Sequence, residues 1–334
     1  MRRCVKLVRL AIGCTSPNPM VGCVIVKDGK IVGEGFNPKA GQPHAEVFAL
    51  RDAGDLAENA TAYVSLEPCD MEGLHRVTEA LIKAKARKVV VGMVDSSPIV
   101  ASKGVDRLRA AGIVVTAGVE EALCKKLNEA YTHQMLTGKP LLALRYSISL
   151  NGQVSDHPGE GAIDSGGYYS KLPQEYDAVI LSSTYLHDKP SLPTSQEPSA
   201  KQPLRIAIAR SSNATLEVPG LTTGSEVESK ASLVGVETVI SDQITMNAIL
   251  DYCTRPGLCS VLLDYTGNTD DLEELVKESF EQNMLQKIAV EILPLWCGRD
   301  DRNARFPLNT EEVSKMKSLQ PKIYNQSIIL EGHL

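Results

Sequence analysis

The sequence predicts an α/β protein made of two domains. Strand and helix patterns alternate over the first 125 residues, which is typical of a sheet with helices packed on it. Near Gly138-Lys139-Pro140 the pattern changes and a second alternation begins. A chain of 334 residues with 43% hydrophobic residues is long enough for two cores. We therefore expect one domain over residues 1–138 and another over 139–334.

The elements of the first domain can be predicted in order. Apolar spacing over 5–12 indicates an amphipathic helix, which ends before the turn residues of 16–19. Strands at 21–26 and 31–35 form a hairpin, because Asp28-Gly29 supplies the positive φ angles of a tight turn. The same reasoning predicts a helix over 44–52, a strand over 61–66, a helix over 77–84, a strand over 89–94 and a helix over 102–111.

The second domain is expected to contain a mainly parallel sheet. Its predicted strands span 141–149, 177–182, 204–209 and 260–264, and its predicted helices span 246–252 and 272–282. The stretch 191–202 is rich in Ser and Pro and indicates a flexible loop without a site.

Composition excludes several classes of function. A formal net charge of −6 and a pI near 5.6 argue against a nucleic-acid partner and favour a small-molecule substrate. The sequence has no apolar run long enough for a bilayer, so we expect no membrane partner, and no targeting peptide within the chain. Eight widely spaced cysteines indicate a reducing compartment rather than a disulfide framework.

Two short motifs point to metal-dependent deamination. They are Pro43-His44-Ala45-Glu46 and, about twenty residues later, Glu67-Pro68-Cys69. A neutral imidazole and a thiolate are good zinc ligands, and a zinc ion that activates water needs three protein ligands. His44 and Cys69 would supply two of them. Glu46 lies in the same helical turn as His44, where it would carry protons between the water, the ring nitrogen and the departing amine.

The chain resembles the pyrimidine deaminases of riboflavin biosynthesis, in particular the plastid form of plants. The resemblance rests on residues 15–26, 40–47 and 64–69, which reproduce the motifs of that family in order and spacing. It implies a cytidine-deaminase-like α/β/α sandwich followed by a dihydrofolate-reductase-like α/β domain. It also implies a chloroplast location, a bound Zn²⁺ and a phosphorylated pyrimidine substrate, and we expect a homo-oligomer.

The same resemblance assigns roles to individual residues. His44 and Cys69 would be zinc ligands, Glu46 the acid/base, and Asn18 and Asp95 contacts to the substrate. The reaction would release ammonia from 2,5-diamino-6-ribosylamino-4(3H)-pyrimidinone 5′-phosphate. The chain has Asn37 where the family usually has His, which puts one substrate contact in doubt.

The loop after Cys69 departs from the family. There the family reads Asn-His-Tyr-Gly-Arg-Thr-Pro-Pro-Cys-Thr-Glu-Ala, with the second Cys as third zinc ligand, whereas this chain reads Asp-Met-Glu-Gly-Leu-His-Arg-Val-Thr-Glu-Ala over 70–80. Met-Glu-Gly-Leu-His-Arg and the start of Val can be encoded by the codon string T-ATG-GAA-GGA-CTC-CAC-CGT-GT. Read from its first base, the same string encodes Tyr-Gly-Arg-Thr-Pro-Pro-Cys.

We therefore hypothesise that residues 70–77 are the family loop translated out of frame, with the frame restored at Thr78. A sequencing or gene-model error, an alternative splice and a genuine lesion would each produce this result. Sequencing the genomic segment and its transcript decides the question. The rival interpretation is that His75 replaces the missing ligand, since imidazole is also a zinc donor.

The second domain also departs from the family, whose bifunctional members carry a reductase there. The family has Lys at Arg145, Asp at Asn151, Gly-Thr-Val and Asp-Asp-Pro within 183–189, and a Glu-Gly-Gly phosphate turn at 264–267. Without those glycines the backbone cannot approach a dinucleotide phosphate closely. Three functions follow as hypotheses, namely a zinc-dependent deaminase, a pseudoenzyme with a structural or regulatory role, and an NADPH-dependent reductase that these departures disfavour.

Overall fold

The computed structural model divides the chain into two compact units, Met1–Lys139 and Pro140–Leu334. It describes residues 1–70, 77–96, 101–155, 165–182, 195, 197–198, 201–209, 236–240, 244–266, 272–298 and 316–334. No helix within these ranges is long and apolar enough to cross a membrane. The eight cysteines all lie in described segments, and none of them forms a disulfide.

The first unit contains a five-stranded sheet with helices on both faces. Its strands are β1 (Gly22–Lys27), β2 (Lys30–Phe36), β3 (Thr61–Leu66), β4 (Lys88–Met93) and β5 (Val114–Thr116), in the spatial order β2-β1-β3-β4-β5. Its helices are α1 (Arg2–Val8), α2 (Ala45–Ala53), α3 (Val77–Lys83), α4 (Lys103–Ala110), α5 (Glu121–Leu127) and α6 (Glu129–Thr137). Short 3₁₀ turns span Arg9–Ala11 and Gly54–Ala57.

Opposite faces of this sheet carry α1 and α2. Gly22 packs against the backbone of Cys4 in α1, whereas Gly35 packs against the backbone of α2. Gly35 pairs with Cys23, and neighbouring residues of a strand point to opposite faces, so Gly22 and Gly35 face different layers. The predicted α/β/α sandwich is confirmed. The β1–β2 turn has positive φ at both Asp28 and Gly29, as predicted.

The second unit contains a nine-stranded sheet. Its strands are β6 (Leu141–Ile148), β7 (Val154–Ser155), β8 (Ala178–Ser182), β9 (Leu204–Ala209), β10 (Val236–Ile240), β11 (Ser260–Tyr265), β12 (Leu285–Ile292), β13 (Lys317–Tyr324) and β14 (Ser327–His333). Its helices are α7 (Tyr168–Lys171), α8 (Met246–Thr254) and α9 (Glu273–Glu281), with a 3₁₀ turn at Pro173–Glu175. The spatial order is β10-β9-β8-β11-β6-β12-β14-β13, and β7 pairs with β6.

The run from β10 to β12 is parallel throughout, which confirms the predicted mainly parallel sheet. The edge formed by β14 and β13 is antiparallel. A separate hydrophobic core supports this unit, with Leu144, Ile180 and Leu263 among its fully buried members.

Candidate active site

Four segments lie along one edge of the five-stranded sheet, the edge at which β2, β3 and β4 end and β1 begins. β1 runs antiparallel to β2 and β3, and β3 runs parallel to β4, so the start of β1 lies beside the ends of the other three strands. Five of the six predicted site residues lie in described parts of these segments, and the sixth, His75, lies outside the described residues. Asn18 precedes β1, His44 and Glu46 follow β2, Cys69 follows β3 and Asp95 follows β4. The topology therefore brings all five predicted residues to the same edge of the sheet.

Glycines in β2 allow α2 to lie directly on the strand. A Cβ at Gly35 would collide with the carbonyl oxygen of Ala45, and a Cβ at Gly33 would collide with that of Ala49. The facing residues of α2 are alanines that are almost fully buried. His44 is the N-cap residue of this helix and has an extended backbone, with φ −69° and ψ 160°. The close contact thus fixes the first turn of α2, which carries His44 and Glu46.

Glu46 is a buried carboxyl group with an unsatisfied oxygen. Its side chain is 1% exposed, and Oε2 has no hydrogen-bond partner among the described residues. Burial raises the pKa of Glu46 to about 7, an effect that a hydrogen bond from its own backbone N–H offsets only in part. A carboxyl group that titrates near neutral pH can both accept and return a proton. Such a group is suited to the predicted acid/base role.

Cys69 lies in the segment that follows β3, and its side chain is half-buried. The next residue, Asp70, accepts a 2.6 Å hydrogen bond from Thr78 Oγ1 and a 2.8 Å bond from Arg107 Nη1. Arg107 Nη2 also donates to Glu79 at 2.7 Å. Residues 71–76, including the proposed replacement ligand His75, lie outside the described residues. Hydrogen bonds therefore join Asp70 to Thr78, and they join both Asp70 and Glu79 to Arg107 of α4.

The residue that corresponds to the missing Cys is Val77. In the family the second Cys directly precedes Thr-Glu-Ala, and here Val77 directly precedes Thr78-Glu79-Ala80. Val77 is 1% exposed and is the first residue of α3. The hydrogen bond between the side chains of Asp70 and Thr78 joins the segment that carries Cys69 to the start of α3. In the sequence, therefore, an apolar side chain stands where the family has its second Cys.

The described residues do not complete a zinc site. No group of three or more His, Cys, Asp or Glu side chains in the described part of the chain is placed to hold a metal ion. His44 and Cys69 have suitable donor atoms, and Val77 has none. The described residues therefore supply two of the three zinc ligands that such a site needs.

The predicted substrate contacts differ in exposure. Asn18 is exposed on the turn before β1, and its N–H donates to the Thr15 carbonyl at 2.8 Å. Asp95 is 8% exposed, just past the end of β4. Asn37, the departure from the family, is buried at the end of β2, and its Oδ1 has no partner among the described residues. Like Glu46, Asn37 has an unsatisfied buried acceptor in a segment that leaves this edge.

In the second unit, residues that replace the family's reductase motif form a buried charge cluster. Arg145 is fully buried, and its guanidinium donates to Asp264 at 3.2 Å, Thr266 at 2.8 Å and Glu291 at 2.7 Å. Tyr169 donates to the second oxygen of Asp264 at 2.7 Å, and its ring lies 4.7 Å from the Arg145 guanidinium carbon. Burial lowers the pKa of Arg145, but the two carboxylates outweigh that effect and hold the pKa above its usual value.

Two residues near this edge of the sheet, Glu67 and Arg107, have no role that the sequence alone predicts. The motif around Cys69 gives the Glu67 side chain no role of its own, and the sequence places Arg107 only within a predicted helix. Glu67 is 3% exposed and accepts three backbone N–H groups. A carboxylate directly after a buried apolar strand is the sequence signal that could have drawn attention to it.

Comparison with known proteins identifies the family. Residues 1–93 match the family model described as cytidine and deoxycytidylate deaminase zinc-binding region. The chain is 57% identical over 350 residues to the Arabidopsis thaliana protein named riboflavin biosynthesis protein PYRD, chloroplastic, covering 100% of this chain and 82% of that protein. The chain belongs to the PYRD/RibD family of riboflavin biosynthesis proteins. The resemblance predicted from the motifs is therefore confirmed.

Other members of the PYRD/RibD family agree. The Zea mays protein of the same name is 50% identical over 345 residues, covering 100% of this chain and 87% of that protein. A Thermotoga maritima crystal structure, named a diaminohydroxyphosphoribosylaminopyrimidine deaminase/5-amino-6-(5-phosphoribosylamino)uracil reductase, superposes with a TM-score of 0.80 at 26% identity. That match covers 100% of this chain and 97% of the other. The first unit has the cytidine-deaminase-like fold and the second has the reductase-like fold, as predicted.

Proposed function

We propose that this chain catalyses the hydrolytic deamination of 2,5-diamino-6-ribosylamino-4(3H)-pyrimidinone 5′-phosphate in riboflavin biosynthesis, within the chloroplast. The observation that carries the proposal is the buried Glu46 carboxyl group, which has an unsatisfied oxygen and a pKa of about 7 at the edge where His44 and Cys69 lie. Family membership supports the substrate class, and the chloroplastic relatives support the location.

Each residue has a defined part in this proposal. Glu46 holds the proton that passes to the ring nitrogen and then to the departing amine. Asn18 and Asp95 orient the pyrimidine, and His44 and Cys69 are the zinc ligands within the described residues. A bound zinc ion would supply an activated water molecule. The third ligand comes from outside the described residues, where His75 lies, or is missing.

A second candidate is a pseudoenzyme with a structural or regulatory role. The observation that favours it is Val77, which occupies the position of the family's second Cys and offers no donor atom. A zinc site with two protein ligands would bind metal weakly. In this alternative the fold persists while the reaction is lost.

Restoring the thiol distinguishes the two candidates. We expect Val77→Cys to bind zinc more tightly than the unaltered chain in a chelator competition. If the unaltered chain is a working deaminase, it releases ammonia from the pyrimidine substrate with added zinc. If it is a pseudoenzyme, only Val77→Cys releases ammonia. Ala80→Cys, which adds a thiol elsewhere on α3, is the control and should match the unaltered chain in both assays.

Glu46→Gln provides the test of the chemistry. In whichever protein is active, it should lower the rate of ammonia release about 100-fold or more, because general acid–base catalysis contributes roughly that factor. NADPH oxidation measured in parallel tests the reductase hypothesis. The deaminase proposal fails for this chain if the unaltered protein releases no ammonia with added zinc. If Val77→Cys also binds stoichiometric zinc and still releases none, the edge is not a deaminase site.

A further inference from the structure

Glu67 joins three separate parts of the candidate active site. Its Oε2 accepts hydrogen bonds from the backbone N–H groups of Asp95 at 3.2 Å and Ser102 at 3.0 Å. Its Oε1 accepts one from the Val105 N–H at 3.0 Å. The side chain is 3% exposed, so these charge-assisted bonds form away from bulk water, where they are strong. One carboxylate thus holds the segment after β4 and the first turn of α4.

Glu67 also takes the place of a helix cap. Among the described residues, α4 has no side-chain cap of its own, and its N-cap residue Ser102 has a left-handed backbone. The first N–H groups of a helix need acceptors, and a negative charge is favoured at that end. Glu67 meets both requirements from another part of the chain, only two residues before Cys69. The start of α4 is therefore bound to the segment that carries the thiol.

Further contacts attach α4 to this segment independently. A Cβ at Gly104 would collide with the Pro68 carbonyl oxygen, so the helix backbone lies directly on the residue between Glu67 and Cys69. One turn further along, Arg107 donates to Asp70 at 2.8 Å. Residues on both sides of Cys69 are therefore fastened to α4.

We infer that Glu67 is a positioning residue that fixes the Cys69 segment and the Asp95 segment relative to each other and to α4. The inference rests on the proposed function, in which Cys69 binds metal and Asp95 contacts substrate. A carboxylate is required because both oxygens must accept hydrogen bonds. In Glu67→Gln one of them becomes an amide nitrogen, which would face a backbone N–H donor.

The unaltered protein provides the first test. Residue-resolved hydrogen exchange should show the N–H groups of Asp95, Ser102 and Val105 as protected as those of β4, although two of the three lie outside regular structure. Exchange at the rate of an unstructured chain would overturn the inference before any variant is made.

Variants provide the second test. Glu67→Gln should accelerate exchange at these three positions about ten-fold or more, since the bonds to a buried charge are lost. It should also change the alkylation rate of Cys69 several-fold while leaving that of Cys14, the other half-buried thiol of this unit, unchanged. Gly104→Ala should give the same pattern from the α4 side. Asp106→Asn, on the exposed face of α4, is the control and should change neither rate.

The outcomes separate this inference from the proposed function. In an active protein, Glu67→Gln should raise KM and lower kcat together, because the substrate segment and the thiol segment both lose their anchor. If neither the unaltered chain nor Val77→Cys releases ammonia, the proposed function fails, but exchange and alkylation still test Glu67. Uniform acceleration across the whole first unit, or no change beyond two-fold at the three N–H groups, would contradict the inference.

Discussion

The two units differ in the partners of their buried ionisable side chains. In the first unit Glu46 is 1% exposed and has an oxygen without a partner among the described residues. In the second unit Arg145, Asp264 and Glu291 are equally buried and bind one another. A buried carboxyl group with an unsatisfied oxygen lowers the stability of the folded state. Such a group is found where a ligand or a reaction requires it. A cluster whose charges bind one another leaves little capacity for a ligand.

This difference separates a candidate reactive site from a structural cluster. The Arg145 cluster lies toward the carboxyl ends of the adjacent parallel strands β6, β11 and β12, the region where α/β sheets often bind ligands. In this protein the Arg145 guanidinium is instead bound by carboxylate and hydroxyl groups of the same unit. The proposed deaminase chemistry therefore belongs to the first unit, and we expect the Arg145 cluster to be a structural element of the second.

The largest expected effect comes from breaking the buried ion pairs of Arg145. Arg145→Met should destabilise the protein by about 3–5 kcal/mol, because it leaves two carboxylates buried without their counter-charge. Denaturant unfolding followed by circular dichroism measures the change. Lys277→Met, which removes an exposed ion pair with Glu273 on α9, is the matched control and should cost no more than about 0.5 kcal/mol. A cost below 1 kcal/mol for Arg145→Met would show that the cluster is not a stabilising element.

A somewhat smaller effect is expected where the first unit positions its site. Gly35→Ala should cost about 3 kcal/mol, because the added methyl group would displace the first turn of α2 from β2. The same displacement should lower zinc affinity in the Val77→Cys background, since His44 is the N-cap of that helix. Gly298→Ala, where an added Cβ would meet no atom within 4 Å, is the control and should change neither property. Wild-type stability and zinc affinity in Gly35→Ala would contradict this account of the close contact.

Local signals in the sequence were sufficient for most of the first unit. Asp28-Gly29 specified the hairpin turn, and the motif around His44 specified where α2 begins. They did not reveal β5, α5 or α6. In the second unit, β10, β12, β13 and β14 were also absent from the prediction. β13 is an edge strand with mostly exposed side chains and a Pro at 321, so it lacks the alternation by which strands are recognised.

The roles of several charged side chains could not be predicted from the sequence because their partners lie far away along the chain. Glu291 is a charged residue inside β12 and weakens any prediction of a buried strand there, until Arg145 is known to lie beside it. Glu67 likewise acquires its role from N–H groups 28 to 38 residues further along the chain. The motifs predicted His44, Glu46 and Cys69, and the family resemblance added Asn18 and Asp95, but only the strand order places their segments at one edge.

The third prediction tests the unsatisfied carboxyl group of Glu46 directly, and the sign of its effect on stability is opposite to that of the other two. Because the pKa of Glu46 is raised to about 7, the folded protein binds a proton there that the unfolded chain releases near pH 4.5. Glu46 therefore costs no stability below about pH 4.5, and stability falls as the pH rises from there to about 7. In metal-free protein kept with a chelator, Glu46→Gln should remove that slope and stabilise the chain by about 3 kcal/mol at pH 8.

The same comparison at two pH values supplies the control. At pH 4.5 the variant and the unaltered chain should unfold at nearly the same denaturant concentration, because both then carry a neutral side chain at this position. A variant that is less stable than the unaltered chain at pH 8 would mean that the Glu46 carboxylate is well solvated or paired. In that case the carboxyl group would titrate near its ordinary value, and the reason for assigning it the proton transfer at neutral pH would be lost.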